Sequence, residues 1–110
     1  KPGRSGAGTV HHIAWRVADD AAQAEWMEEI TKVGAHVTTV QDRTYFHSIY
    51  FREPGGVLFE IATDGPGWTV DELAESLGHK LALPAWLEGQ RDAIAMRLAP
   101  FQTPDGVSLP

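Results

Sequence analysis

His12 and Glu60 are the residue types from which a divalent-metal site is made, and each stands in a strand-like segment that aims it at one side of a sheet. His12 lies in Thr9-Val10-His11-His12-Ile13-Ala14-Trp15-Arg16-Val17, and Glu60 in Gly56-Val57-Leu58-Phe59-Glu60-Ile61-Ala62-Thr63. A carboxylate set in an apolar run is costly to bury unless a charged group meets it. An imidazole facing the same cavity, with a cation between the two, meets that need. Imidazole and carboxylate suit Fe(II), Mn(II), Zn(II) or Ni(II), and two His with one carboxylate form the open triad of non-haem iron chemistry. The pair by itself is one ligand short of that set.

Plainer explanations exist for each residue. A lone His in a strand is more often half exposed than a ligand, and a Glu on an edge strand commonly points to solvent. Alternation places Leu58, Glu60 and Ala62 on one face and Val57, Phe59 and Ile61 on the other. The second set is the better core face, so Glu60 points away from the helix-packed core, toward either solvent or a cavity. His11 points opposite to His12 if the strand is regular. His36, His47 and His79 have no partner at a metal-like spacing and read as structural. Tyr50 and Arg43 differ in kind, because a phenol can donate a proton or hydrogen bond to an oxygen species and a guanidinium can hold an oxyanion. A Tyr in an aromatic strand nevertheless serves packing more often.

The elements that must position these residues follow from pattern. Residues 9–17 read as a strand with His12, Ala14 and Arg16 on one face. Asp19-Asp20 cap a helix running to about Val33, with Gly34 ending it and Ala22, Trp26, Ile30 and Val33 as its buried stripe. Residues 35–40 form a second strand, Gln41-Asp42-Arg43 a turn, and Tyr45 to Arg52 a third strand. Pro54-Gly55-Gly56 turns the chain into a fourth strand from Val57 to Ala62. Asp64-Gly65-Pro66-Gly67 closes this β-α-β-β-β unit. Beyond it, Thr69 and Glu72 make a capping box for a short helix ending near Gly78. Residues 88–98 suggest another helix, with Leu87, Arg91, Ile94 and Leu98 on one side, and the Pro-containing tail from Pro100 reads as irregular.

Composition narrows the function classes. A chain of 110 residues supports one compact domain with a modest core. The net charge of −6 and the scattered Lys and Arg leave no electrostatic footprint for nucleic acid. No apolar run approaches the roughly 20 residues that span a bilayer. Cysteine is absent, which excludes disulfides, thiolate metal sites and Cys nucleophiles and points weakly to the cytoplasm. The Gly-rich start lacks a Met and reads as a linker, so the expectation is a chain cut from something longer.

Taken together, the order of elements, the His in the first strand and the Glu in the last resemble a vicinal oxygen chelate module. This is the glyoxalase/bleomycin-resistance/extradiol dioxygenase superfamily. The likeness covers roughly residues 8–64. It is most specific in Gly8 to Arg16 and in Phe46-His47-Ser48-Ile49-Tyr50-Phe51-Arg52-Glu53-Pro54-Gly55-Gly56-Val57-Leu58-Phe59-Glu60, which look like the C-terminal module of hydroquinone-type ring-cleaving dioxygenases. Lys80-Leu81-Ala82-Leu83-Pro84 and the final helix are similar to that group's C-terminus. The resemblance implies an α+β fold: a linker over 1–8, a βαβββ metal-binding module over 9–64 and a C-terminal helical extension over 65–110. Two such modules pair into a cupped sheet.

The same resemblance implies His12 and Glu60 as Fe(II) ligands, the remaining His coming from an N-terminal half. Arg43 and Tyr50 would act catalytically by contacting the bound phenolate or oxygen, with His11 acting from behind the ligands. The implied reaction is oxygen-dependent ring opening of a hydroquinone- or catechol-like aromatic. Partners are then the small aromatic substrate, O2, and either the N-terminal half or a second copy of the chain. A symmetric pair would offer two His and two Glu, which favours a glyoxalase-like isomerase or lyase with Zn or Ni. A metal-free binding protein of the bleomycin-resistance kind is the third reading, in which His12 and Glu60 are dispensable.

Overall fold

A computed structural model describes residues 6–103 and 106–109, so part of the expected linker falls outside the described residues. The chain divides into two compact units, one through Val70 and the other from Asp71. In the first, β1 (Ile13–Val17), α1 (Asp20–Lys32), β2 (Gln41–Asp42), β3 (Phe46–Arg52) and β4 (Leu58–Pro66) make the expected β-α-β-β-β succession. The four strands form one sheet in the order β1-β4-β3-β2. β1 runs parallel to β4 with Ala14 opposite Glu60, and β4 is antiparallel to β3 with Tyr50 opposite the same Glu60. Glu60 thus sits in a central strand, flanked on both sides.

α1 packs on one face of the sheet. Asp19 caps it through a 2.9 Å hydrogen bond accepted from the Ala22 N–H. Gly34, at φ +86°, ends it as expected, and the Ala35 N–H reaches back to the Ile30 carbonyl. The buried stripe differs from the expected one. Gln23 and Ile30 are buried with Met27 partly covered, whereas Trp26 and Val33 are 53% and 83% exposed. The helix is rotated because Gln23, a polar residue that an apolar template passes over, is needed inside. Its amide donates to the carbonyls of His47 at 2.9 Å and Ile61 at 2.8 Å, fastening the helix to two strands. The register of β3 on β4 shifts between Phe46 and Ser48. At that irregularity the His47 N–H goes to the Thr63 hydroxyl and its C=O to Gln23, so side chains complete what the ladder leaves open. Ile30, Ile49 and Ile61 form the core, with Val17, Met27, Ala35, Val37 and Phe51 packed against them.

The expected strand over 35–40 is extended chain rather than a ladder. There the Thr38 N–H reaches the Tyr50 carbonyl, but the Tyr50 N–H goes to the Thr38 hydroxyl instead of its C=O. A side chain has taken the place of a backbone acceptor, and regular pairing starts only at Gln41 and Asp42, residues the pattern assigns to a turn. The next turn is as expected. The Glu53 N–H bonds to the Val57 carbonyl across Pro54-Gly55-Gly56, and the Glu53 carboxylate accepts from the Gly55 and Val57 N–H groups. Those donors hold the Glu53 carboxyl below its ordinary range. Gly56 closes the loop at φ +92°, with open space where a methyl group would stand. Gly56→Ala therefore costs backbone strain alone, about 1–2 kcal/mol, read as a lower urea midpoint at unchanged slope.

β4 runs on through Asp64, Gly65 and Pro66 instead of ending at Ala62. The expected helix opened by Thr69, in the first unit, and Glu72, in the second, is absent. Short 3-10 turns at Trp68–Val70 and Ala74–Ser76 stand there, and one Glu72 oxygen accepts weakly from the Gly78 N–H at 3.5 Å. Glu72 is thereby used to close the loop rather than to cap. The expected 88–98 helix is a 3-10 segment, Ala85–Gln90, leading into α2 (Arg91–Ala95), held by the Arg91–Glu88 ion pair. The tail is not irregular: β5 (Phe101–Gln102) and β6 (Ser108–Leu109) pair antiparallel.

One contact makes the first unit pH-sensitive. His47 Nδ1 lies 2.7 Å from Asp20 Oδ1, joining β3 to the first turn of α1. The hydrogen bond to Asp20 raises the His47 pKa, against a smaller opposing effect of desolvation. A raised folded-state value means the stabilisation is complete below the ordinary imidazole range and is lost as pH climbs through the higher folded value. Melting temperature should decline between about pH 6 and pH 8, and Asp20→Asn should flatten that slope. Identical slopes in the two proteins would contradict it.

Candidate metal centre

The sheet face opposite α1 carries the residues singled out by the sequence. His12 Nε2 stands 2.8 Å from Glu60 Oε2, although the two are far apart in the chain. Alternation correctly sets Glu60 away from the helix, yet its side chain is only 5% exposed against 36% for His12. A carboxylate so enclosed must be satisfied by neighbours, and three side chains meet it. Ser48 Oγ donates to Oε1 at 2.5 Å, and the Tyr50 hydroxyl donates to the same oxygen at 2.9 Å. His12 meets Oε2.

Arg43 stands behind Tyr50. Its Nε and Nη2 each donate to the Tyr50 oxygen at 3.3 Å, and its guanidinium lies 5.4 Å from the ring centroid. The chain of donors therefore runs from Arg43 through Tyr50 to Glu60. Arg43 is placed by the tight β2–β3 connection, where Thr44 adopts φ +70° and its N–H is caught by the Asp42 carboxylate at 2.7 Å. Arg16 and Asp64 pair on the same face through a two-pronged contact, Nη2 to Oδ2 being 2.9 Å. That contact raises the Arg16 pKa and holds the Asp64 carboxyl below its usual range.

His11 does not point the opposite way. Both histidines precede β1, which begins at Ile13, so strand alternation does not govern them. Their Nδ1 atoms lie 2.8 Å apart and their rings meet edge-on at 5.1 Å. The other histidines stand elsewhere: His47 is paired with Asp20, His36 borders a shallow cavity with Thr38 and Arg52, and His79 belongs to the second unit. Ser48 and Gln23 are the residues that sequence reasoning passed over. The signal for Ser48 was present, since it is a small polar residue two positions from Tyr50 in an otherwise bulky strand. An apolar cavity of about 350 Å³, bordered by Trp15, Trp26, Phe51 and Phe59, lies on the helix side and is separate from this face.

The donor set fits a divalent cation in part. Two donors held about 2.0–2.2 Å from one ion at right angles stand about 3 Å apart, close to the spacing of His12 Nε2 and Glu60 Oε2. Among the described residues no group of three or more His, Cys, Asp or Glu side chains could hold a metal ion. Nor is any described helix long and apolar enough to cross a membrane.

Residues 1–61 match the Glyoxalase/Bleomycin resistance protein/Dioxygenase superfamily. The chain belongs to that superfamily. Among its relatives, MhqO of Bacillus subtilis (strain 168), named as a ring-cleaving dioxygenase, is 54% identical over 91% of this chain and 32% of its own length. The chlorohydroquinone/hydroquinone 1,2-dioxygenase of Sphingobium indicum is 42% identical over 81% of this chain and 28% of its own length. A crystal structure described as a dioxygenase from Bacillus subtilis superposes with a TM-score of 0.80 at 54% identity, covering 91% of this chain and 33% of that one. The chain thus spans about a third of the superfamily members it matches. Its fold is the α+β fold expected of them.

Proposed function

We propose that this chain is the C-terminal part of a non-haem Fe(II) extradiol-type dioxygenase that opens hydroquinone- or catechol-like rings. The observation that carries the reading is the convergence of His12 and the buried Glu60 across β1 and β4, 2.8 Å apart, on the face that α1 leaves open. Relatives named for ring cleavage support dioxygenase over isomerase chemistry. In this reading Fe(II) held by His12, Glu60 and a His of an N-terminal half supplies charge stabilisation and orientation for oxygen-dependent cleavage.

The chain's own residues do the rest. For Nε2 of His12 to face a cation its proton must sit on Nδ1, where His11 Nδ1 is in place to accept it. His11 thereby fixes the tautomer and ring direction of the ligand. Tyr50, backed by Arg43, offers its hydroxyl proton toward an oxygen of a substrate lying over the open face. The Arg43 charge favours a phenolate there. Ala14, opposite Glu60 on β1, and Ala62, two residues along β4, put small side chains beside it on that face.

The test is oxygen uptake with hydroquinone after anaerobic loading with Fe(II), for the chain alone and joined with an N-terminal half. Turnover only in the joined state, lost on His12→Ala, is expected. An oxygen-independent turnover of 2-oxoaldehyde adducts by a homodimer would instead support the isomerase. Ligand binding indifferent to both His12→Ala and Glu60→Ala would support the metal-free protein. In the joined enzyme, Tyr50→Phe should lower kcat by about 10²-fold or more while leaving bound iron unchanged.

A further inference from the structure

We propose that Ser48 is a positioning residue that makes Glu60 a one-oxygen ligand, and that it thereby releases the Tyr50 hydroxyl for substrate. This rests on reading His12 and Glu60 as metal ligands. A carboxylate oxygen has two lone pairs in its plane. On Glu60 both lone pairs of Oε1 are taken, one by Ser48 at 2.5 Å and one by Tyr50 at 2.9 Å. Among the described residues Oε2 meets His12. A cation arriving beside His12 therefore finds one oxygen open and the other closed by hydroxyls.

The two donors are not equivalent. Ser48 is fully buried, opposite Ala62 on β3, and its hydroxyl points at Glu60 with no solvent to compete. Tyr50 is half-buried and is shared with Arg43. When the Tyr50 hydroxyl turns toward a substrate oxygen, Ser48 still holds Oε1 and the carboxylate keeps its rotation. Without Ser48 one lone pair of Oε1 is open at all times and only the shared Tyr50 hydroxyl holds the other. Oε1 can then swing onto the metal even before substrate arrives, changing the number of positions open to substrate and O2. A strand that carried only the Tyr would couple substrate binding to a loose ligand.

Zn(II) alone serves as the probe, titrated calorimetrically into the chain joined with its N-terminal half and into variants of that joined protein, with infrared spectra of the bound carboxylate. Ser48→Ala should weaken Zn(II) about tenfold and narrow the separation of the symmetric and antisymmetric carboxylate stretches, the mark of two-oxygen binding. Ser48→Thr, which restores the hydroxyl, should recover both, and Tyr50→Phe should leave both near the parent values. If the parent binds Zn(II) and Ser48→Ala matches it in affinity and bands, the role of Ser48 is overturned while the metal site stands. It is equally overturned if Thr fails to rescue, or if Tyr50→Phe is as harmful as Ser48→Ala. A parent that takes up no Zn(II) overturns the metal site itself, and this inference with it.

Discussion

Glu60→Gln should reduce divalent-metal affinity by more than about a hundredfold, because losing an outer partner alone already costs about 10–100-fold. The substitution keeps the shape of the side chain and leaves one oxygen to receive the Ser48 and Tyr50 hydroxyls. What it removes is the negative charge and the donor atom beside His12. The folded state should survive, since the new amide can donate to the His12 ring nitrogen it faces. Calorimetric titration with Mn(II) reads the result, and retention of parent affinity would mean that the carboxylate is not a ligand.

Gln23→Ala should be the most damaging change outside the site, lowering stability by about 2–4 kcal/mol as two buried carbonyls lose their donor and a void opens. Gln23 is 2% exposed and ties α1 to His47 of β3 and Ile61 of β4. For a domain of this size that corresponds to a fall in Tm of roughly 10–20 °C. Because Ile61 adjoins Glu60, the loss should also loosen β4 and weaken metal binding modestly. A thermal melt within a few degrees of the parent would show that water replaces the amide without cost.

These two residues mark where sequence pattern succeeds and where it stops. Glu60 was legible because alternation has a period of two and a charge in an apolar run is conspicuous. His12 stood out by residue type alone, since it precedes β1 and alternation does not govern it. The helix bounded by Asp19 and Gly34 and the turn at Pro54-Gly55-Gly56 were legible because their chemistry is local. Gln23 was not, since a helical stripe built from apolar residues cannot foresee an amide recruited to repair a strand irregularity. His11 was misdirected because alternation was extended two residues before β1 begins. The 35–40 segment has the composition of a strand, but whether it joins a ladder depends on Thr38 and Tyr50, partners twelve residues apart. Ser48 escaped because its meaning comes from Glu60 on the neighbouring strand. In the second unit short apolar runs and a plausible capping pair allowed α-helix, where Pro84 and the glycines Gly78 and Gly89 leave mostly single turns.

The pairing of His12 with Glu60 and the network behind it form one coherent device. His11 sets the imidazole, Ser48 and Tyr50 set the carboxylate, and Arg43 sets Tyr50. Each of these contacts except that between the adjacent histidines joins residues well separated along the chain, so the site exists only in the folded sheet. The Arg16–Asp64 pair and the His47–Asp20 pair lie outside the device and stabilise its frame. Being exposed or partly so, they contribute little individually.

Paramagnetic broadening by Mn(II) in the ¹H–¹⁵N and imidazole spectra of the chain tests the central claim most directly, because it maps a cation even when binding is weak. Signals of His12, Ser48, Tyr50 and Glu60 should broaden at the lowest Mn(II), ahead of the His47 imidazole and Asp20. Broadening centred on His47 and Asp20, or spread evenly over the acidic surface, would contradict the account.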